Sequence, residues 1–232
     1  MNEPTLDPPR LLAASDRSLL VSFGDRIGTD LHDRVRRLLR ALDAAPLAGI
    51  TNLVPAYASI LIRFDPARLD HDRVADHALR ALARGAGPQA EPQRQVEVPV
   101  CYGGEHGADL EEVARLCGLT ARQVVEAHAG ATCQVYFLGF VPGFAYMGDL
   151  PASIACDRLE APRRVVPAGS VGIAGRQTGV YPLATPGGWR LIGMTPLKLF
   201  DPRREPMCLL AMGDRVRFTP IPPERFAALA GP

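Results

Sequence analysis

Between residues 130 and 202, glycine (11) and proline (8) fill 19 of 73 positions, roughly twice the usual share of about 12%. The same stretch holds only 10 of the chain's 51 charged residues. Proline removes a backbone donor, and glycine in a helix interior costs about 1 kcal/mol, so a run of long amphipathic helices is excluded. The composition predicts short strands joined by tight turns, with much of their surface covered. Strand candidates are 133–138, 164–166, 171–174, 179–183, 190–192, 207–212 and 215–220. Many short strands with little helix between them indicate a mainly-β barrel or a tightly folded sandwich.

The first part of the chain follows other periods. Residues 10–14 and 17–23 read as a hairpin. Leu31, Val35, Leu38, Leu39 and Leu42 then mark one face of a helix whose other face carries Arg34, Arg36, Arg37 and Arg40. Strands at 50–55 and 58–64 follow, then a helix over 70–84 with Val74, Ala78, Leu79 and Leu82 inward. The order β-β-α-β-β-α predicts a small α+β sandwich over 8–84, with helices on one face of an antiparallel sheet. Residues 85–95, aperiodic and rich in Gly and Pro, read as a linker to a second domain over 96–232. There Val96, Val98 and Val100 alternate as a strand, Asp109 opens an acidic helical turn, and Thr120 with Gln123 forms a capping box. His128 and Gly130 close that helix, where the dipole favours a charged imidazole. Residues 222–230 read as a closing helix.

Charge and cysteine usage narrow the function. Lys+Arg 26 against Asp+Glu 25 gives a net charge of +1, which argues against a chain built to grip nucleic acid or an anionic membrane. No run of 18 apolar residues and no signal layout occurs, so a soluble cytoplasmic protein is expected. Five cysteines without a C-x-x-C pair, and five histidines without H-x-x-x-H spacing, give no disulfide framework and no metal site. The single lysine, Lys198, does not follow a glycine loop, so no P-loop nucleotide site is expected.

Two segments carry the candidate chemistry. Five of the aromatic side chains fall in 136–146, including Phe140, Phe144 and Tyr146. A loop cannot bury them all, so they form either a lid on one barrel end or a ligand surface. Gly169, Gly172, Gly175 and Gly179 recur at steps of three or four, spacing that lets backbone amides approach a ligand oxygen. Ser170 lacks the G-x-S-x-G context of a hydrolase nucleophile and reads as a turn or hydrogen-bonding residue. Gln177, Thr178 and Tyr181 either bind a ligand or tie turns together. Glu105, on a Gly-rich turn, and His128 are the candidate proton carriers.

Cys101-Tyr-Gly-Gly-Glu105, the run from Tyr136 to Gly148, Pro167-Ala-Gly-Ser-Val-Gly-Ile-Ala-Gly175, Gln177-Thr-Gly-Val-Tyr-Pro182 and Pro186-Gly-Gly-Trp189 resemble the KipI/PxpB family, also called allophanate hydrolase subunit 1. The resemblance implies an α+β N-terminal domain followed by a cyclophilin-like β-barrel. It also implies action with PxpC-like and PxpA-like subunits in ATP-dependent opening of 5-oxoproline, with ATP used by the complex and no cofactor bound by this chain. Its alternatives are a KipI-like inhibitor of a histidine kinase and the carboxyltransferase half of a urea-carboxylating enzyme. Under the first reading, amides at Gly169–Gly172 polarise a small amide substrate, while Gln177 and Tyr181 orient it beside Trp189. Two departures stand out: Met194 occupies a position where the family usually carries Arg, and His106 one that is usually aromatic.

Overall fold

The computed structural model describes residues 7–84 and 93–231. It divides into two compact units between residues 91 and 92. The expected linker lies largely in 85–92, outside the described residues; Gln95 is already the first residue of a strand.

The first unit has the expected order β1 (Arg10–Ser15), β2 (Ser18–Ser22), α1 (Thr29–Ala44), β3 (Ile50–Pro55), β4 (Ser59–Phe64) and α2 (His71–Arg84). Its antiparallel sheet runs β1-β2-β4-β3. Leu19, Val21, Ile60 and Ile62 from the strands pack with Leu31, Val35, Leu38 and Leu42 of α1, all buried. On α2 the buried positions are Val74, Ala78 and Ala81, whereas Leu79 is 42% exposed. The helix buries the i, i+4, i+7 face set by Val74, and Leu79 lies beyond its edge.

The second unit is built on a closed barrel of seven strands, ordered β10-β7-β6-β13-β5-β12-β9. These are β5 (Gln95–Tyr102), β6 (Thr132–Leu138), β7 (Ala145–Gly148), β9 (Ser170–Ala174), β10 (Gln177–Val180), β12 (Arg190–Met194) and β13 (Arg215–Pro220). Closure leaves no unpaired edge in the barrel. The unit's first and last strands, β5 and β13, pair in parallel from Gln95↔Arg215 to Val100↔Pro220. A two-stranded arm, β8 (Arg163–Val166) with β11 (Thr185–Gly187), stands beside it. Helices α3 (Leu110–Cys117) and α4 (Ala121–Gly130) bury Leu110, Val113 and Val124 in the barrel's hydrophobic cluster. Both halves of the predicted capping box at Thr120 and Gln123 form. Helix α5 (Pro223–Ala230) closes the chain, and its Phe226 meets the His106 ring at 4.4 Å.

Two strand expectations fail in the barrel unit. Residues 207–212 form bends held by one bridge, Phe200↔Cys208, because turn residues on both sides leave no partner strand in register. The strand expected over 179–183 is β10, which ends at Val180; Tyr181 onward turns away toward the arm. Strands β7 and β11 were not expected.

The alternation of side chains in the barrel wall determines where a site can form. Val171, Ile173, Val180 and Ile192 point into the barrel cluster. The residues between them, Gly172, Gly179 and Leu191, face outward, following the two-residue period of a strand. On that outer face Phe144, Val166, Tyr181 and Leu191 form a second buried cluster, with Tyr146 and Trp189 packed against it.

Candidate functional site

The outer cluster is the floor of an open cleft of about 460 Å³, within the range of small-molecule pockets. Phe140, Phe144, Tyr146, Tyr181 and Trp189 line it, with Arg158–Glu160, Pro162 and Pro186–Gly188 on the other side. The rings meet edge to face: Phe144 with Tyr181 at 5.2 Å, Phe144 with Trp189 at 5.5 Å, and Phe144 with Tyr146 at 4.9 Å. Each such pair contributes about 0.5–1.5 kcal/mol beyond area burial. Phe144 is the hub and is fully buried, so the cleft floor is packed without a ligand.

Glycine makes this packing fit. A Cβ on Gly179 would lie 3.0 Å from Phe144 and 3.1 Å from Trp189, and one on Gly172 would lie 3.0 Å from Trp189 Cβ. The rings therefore lie directly on the sheet backbone at these positions.

The loop carrying Phe140 is held in an uncommon shape. Val141 N–H donates to Gly139 O at 2.8 Å, closing a three-residue turn around Phe140, whose φ is +68°. That is a γ-turn of the rarer hand, costly for a side chain of this size. Gly139 N–H donates to Phe144 O across the loop, and the Phe140 ring stays 59% exposed at the cleft mouth.

The remaining sequence candidates lie elsewhere. The Gly169 amide donates to Tyr181 O at 2.7 Å, and the Ser170 amide to Pro167 O at 3.3 Å. Gly172 sits between Gly179 and Leu191 in the ladder. These amides are engaged within the barrel wall; of the recurring glycines, Gly172 and Gly179 make room for rings, whereas Gly169 and Gly175 adopt the left-handed φ values of +85° and +57° that turns require. Ser170 Oγ is buried and, among the described residues, has no hydrogen-bond partner.

His128 and Thr178 are both fully buried on the barrel side of the wall. Thr178 Oγ1 donates to Gly172 O at 3.0 Å, so it accepts from His128 Nε2, also at 3.0 Å. The hydroxyl has one proton to give, which places the imidazole proton on Nε2 and leaves Nδ1 to accept from Tyr102 at 2.7 Å. Burial lowers the His128 pKa from 6.5 to about 3 and outweighs the helix dipole, so the ring is neutral. His128 does not line the cleft. Gln177 pairs with Ala174 beside the β9–β10 turn and does not line it either. Glu105 lies on a single helical turn with its side chain 88% exposed. Met194 pairs with Ser170 in the wall and is not among the residues lining the cleft.

The strap 157–162, part of the cleft wall, was missed by sequence reading. A signal was present: five of the ten charged residues in 130–202 fall within 157–164. Behind it, Asp109 is buried, bound by Arg163 Nη2 at 2.6 Å and by the Leu191 amide at 2.6 Å, which anchors the arm to the barrel.

The family model "Carboxyltransferase domain, subdomain C and D" matches residues 9–210, spanning the α+β unit and most of the barrel unit. The chain belongs to that family and, within it, to the KipI/PxpB group that its motifs resemble. It is 40% identical over 216 residues to the 5-oxoprolinase B-subunit of Bacillus subtilis, covering 89% of this chain and 90% of that one. To the protein of the same name from Escherichia coli O157:H7 it is 59% identical over 131 residues, covering 56% of this chain and 60% of that one. Among solved structures, TTHA0988 superposes with a TM-score of 0.78 at 38% identity, over 88% of this chain and 40% of that longer chain. The urea carboxylase of Kluyveromyces lactis shares the fold, with a TM-score of 0.76 at 19% identity over 97% of this chain and 23% of that one. Among the described residues, no helix is long and apolar enough to cross a membrane.

Proposed function

We propose that this chain is the PxpB-type component of an ATP-dependent 5-oxoprolinase, holding a small cyclic amide while PxpC-like and PxpA-like subunits complete the reaction. The carrying observation is the near full-length match to the 5-oxoprolinase B-subunit of Bacillus subtilis. The pre-built aromatic cleft supports it, because a small lactam ring can pack against aromatic faces with little ordering cost. Opening the lactam adds one water across the C–N bond, releasing the amine and a second carboxylate as glutamate. In this reading Tyr146 and Trp189 hold the ring, Phe140 closes over it, and the Tyr181 hydroxyl at the floor offers a proton donor. Burial raises the Tyr181 pKa, which keeps that hydroxyl protonated at neutral pH.

ATP falls to another component, since no glycine loop precedes the single lysine. The larger size of TTHA0988 and of the urea carboxylase fits a unit that works beside further domains. The chain alone is therefore expected to show no 5-oxoproline-dependent ATP hydrolysis. The test is co-purification with the products of adjacent genes, followed by assay of glutamate formed from L-5-oxoproline. Turnover that requires this chain supports the proposal; robust turnover by the chain alone, or a stable complex with a histidine kinase that silences its autophosphorylation, overturns it.

A further inference from the structure

The strap 157–162 is fastened at two points. The Leu159 amide donates to Gly188 O at 2.7 Å, and Arg190 Nε donates to Asp157 O at 2.8 Å. Between and just beyond these ties, Arg158 and Glu160 are exposed and line the aromatic cleft. They also line a second hollow of about 530 Å³ on the strap's other side, so they stand on the boundary between the two. Three neighbouring arginines are engaged, Arg163 with Asp109, Arg190 with Glu112, and Arg176 with Leu150 O; Arg164 does not line the cleft. Arg158 has no hydrogen-bond or ion-pair partner among the described residues.

A fixed backbone carrying an unengaged guanidinium beside uncharged ring faces is a recognition arrangement. The planar fork matches a carboxylate through two parallel hydrogen bonds, and the rings take the apolar remainder of the ligand. Glu160 at the same mouth offsets much of the long-range field, so selection depends on direct contact rather than on steering.

Resting on the lactam-binding reading above, we propose that Arg158 is the specificity residue of the cleft. It selects small cyclic acyl compounds that bear a carboxylate, pairing with that group while the ring lies against Trp189. Nothing in the chain's motifs points to this residue; it follows from the strap's position.

Trp189 is the only tryptophan in the chain and forms part of the cleft wall, so its emission reports occupancy directly. The purified chain is titrated with L-5-oxoproline and with 2-pyrrolidinone, the same lactam without the carboxylate. The wild type is expected to prefer the carboxylated lactam by about tenfold, equivalent to about 1.4 kcal/mol. Arg158→Met should erase that preference and leave 2-pyrrolidinone affinity unchanged, and Arg158→Lys should restore part of it. Equal wild-type affinity for both lactams, a preference that survives Arg158→Met, or no response to either lactam overturns the inference.

The proposed function is judged separately, on glutamate formed by the assembled complex. Turnover with an unchanged KM in Arg158→Met keeps the function and removes this inference. No turnover, with the carboxylate preference intact in binding, removes the function and leaves a carboxylate-selective cleft.

Discussion

Gly187→Ala tests the packing of the cleft floor. A Cβ at this position would overlap the Tyr181 hydroxyl and lie 2.7 and 2.8 Å from Tyr181 Cε1 and Cζ. Carbon–carbon contact settles at about 3.5–4.0 Å, so the ring would have to move by about 1 Å. Tyr181 has no room to do so, being buried between Phe144 and the Gly172 backbone. Overpacking of this kind costs about 1–3 kcal/mol. With a urea m-value of about 2 kcal/mol/M, the unfolding midpoint of this unit falls by about 0.5–1.5 M. The neighbouring Gly188 supplies the control, because its nearest atoms to an added Cβ lie at 3.7 Å, ordinary contact. Gly188→Ala should leave the midpoint within about 0.3 M of wild type. Trp189 emission follows both transitions. A Gly187→Ala midpoint equal to wild type, or a drop matched by Gly188→Ala, would refute the reasoning.

Four further outcomes follow from the same geometry. Thr120→Ala removes the hydroxyl that caps α4 and should cost about 1 kcal/mol, read as a lower urea midpoint. Lowering pH should destabilise the barrel unit from about 6.5 downward, because the unfolded chain takes up a proton that folded His128 refuses until about pH 3. His128→Phe should flatten the stability slope between about pH 5 and 7, even while losing the Tyr102 hydrogen bond; an unchanged slope contradicts the assignment. Phe140→Gly relieves a left-handed φ and should stabilise the loop by about 1 kcal/mol, while removing the ring at the cleft mouth raises KM in the assembled enzyme.

The first unit was legible because its two periods, two and 3.6, are written in uninterrupted runs such as Leu31 to Leu42. The barrel was legible in kind but not in detail. Strand β7 is four residues, Ala145–Gly148, hidden behind the aromatic loop. The parallel β5–β13 pairing joins residues more than a hundred positions apart, which no local pattern encodes.

The aromatic loop stood out in the sequence because rings crowded into a turn-rich segment have few places to go, and the structure sets Phe140, Phe144 and Tyr146 along one cleft. The glycines misled, because a missing Cβ serves equally to admit a ligand or to seat a tryptophan. Gly172 and Gly179 do the second. His128 misled for a related reason: its place near a helix end suggested charge, whereas the barrel behind it dictates neutrality. Arg158 escaped notice because its significance lies in the hollows on either side of the strap, which only the folded chain creates.

The most direct measurement is a crystal structure of the chain soaked with L-5-oxoproline. The account predicts the lactam ring against Trp189 and Tyr146, its carboxylate turned toward Arg158, the Gly169 amide still on Tyr181 O and Gly172 still paired in its ladder. Ligand bound on the barrel's interior side beside His128, with the aromatic cleft empty, would contradict it.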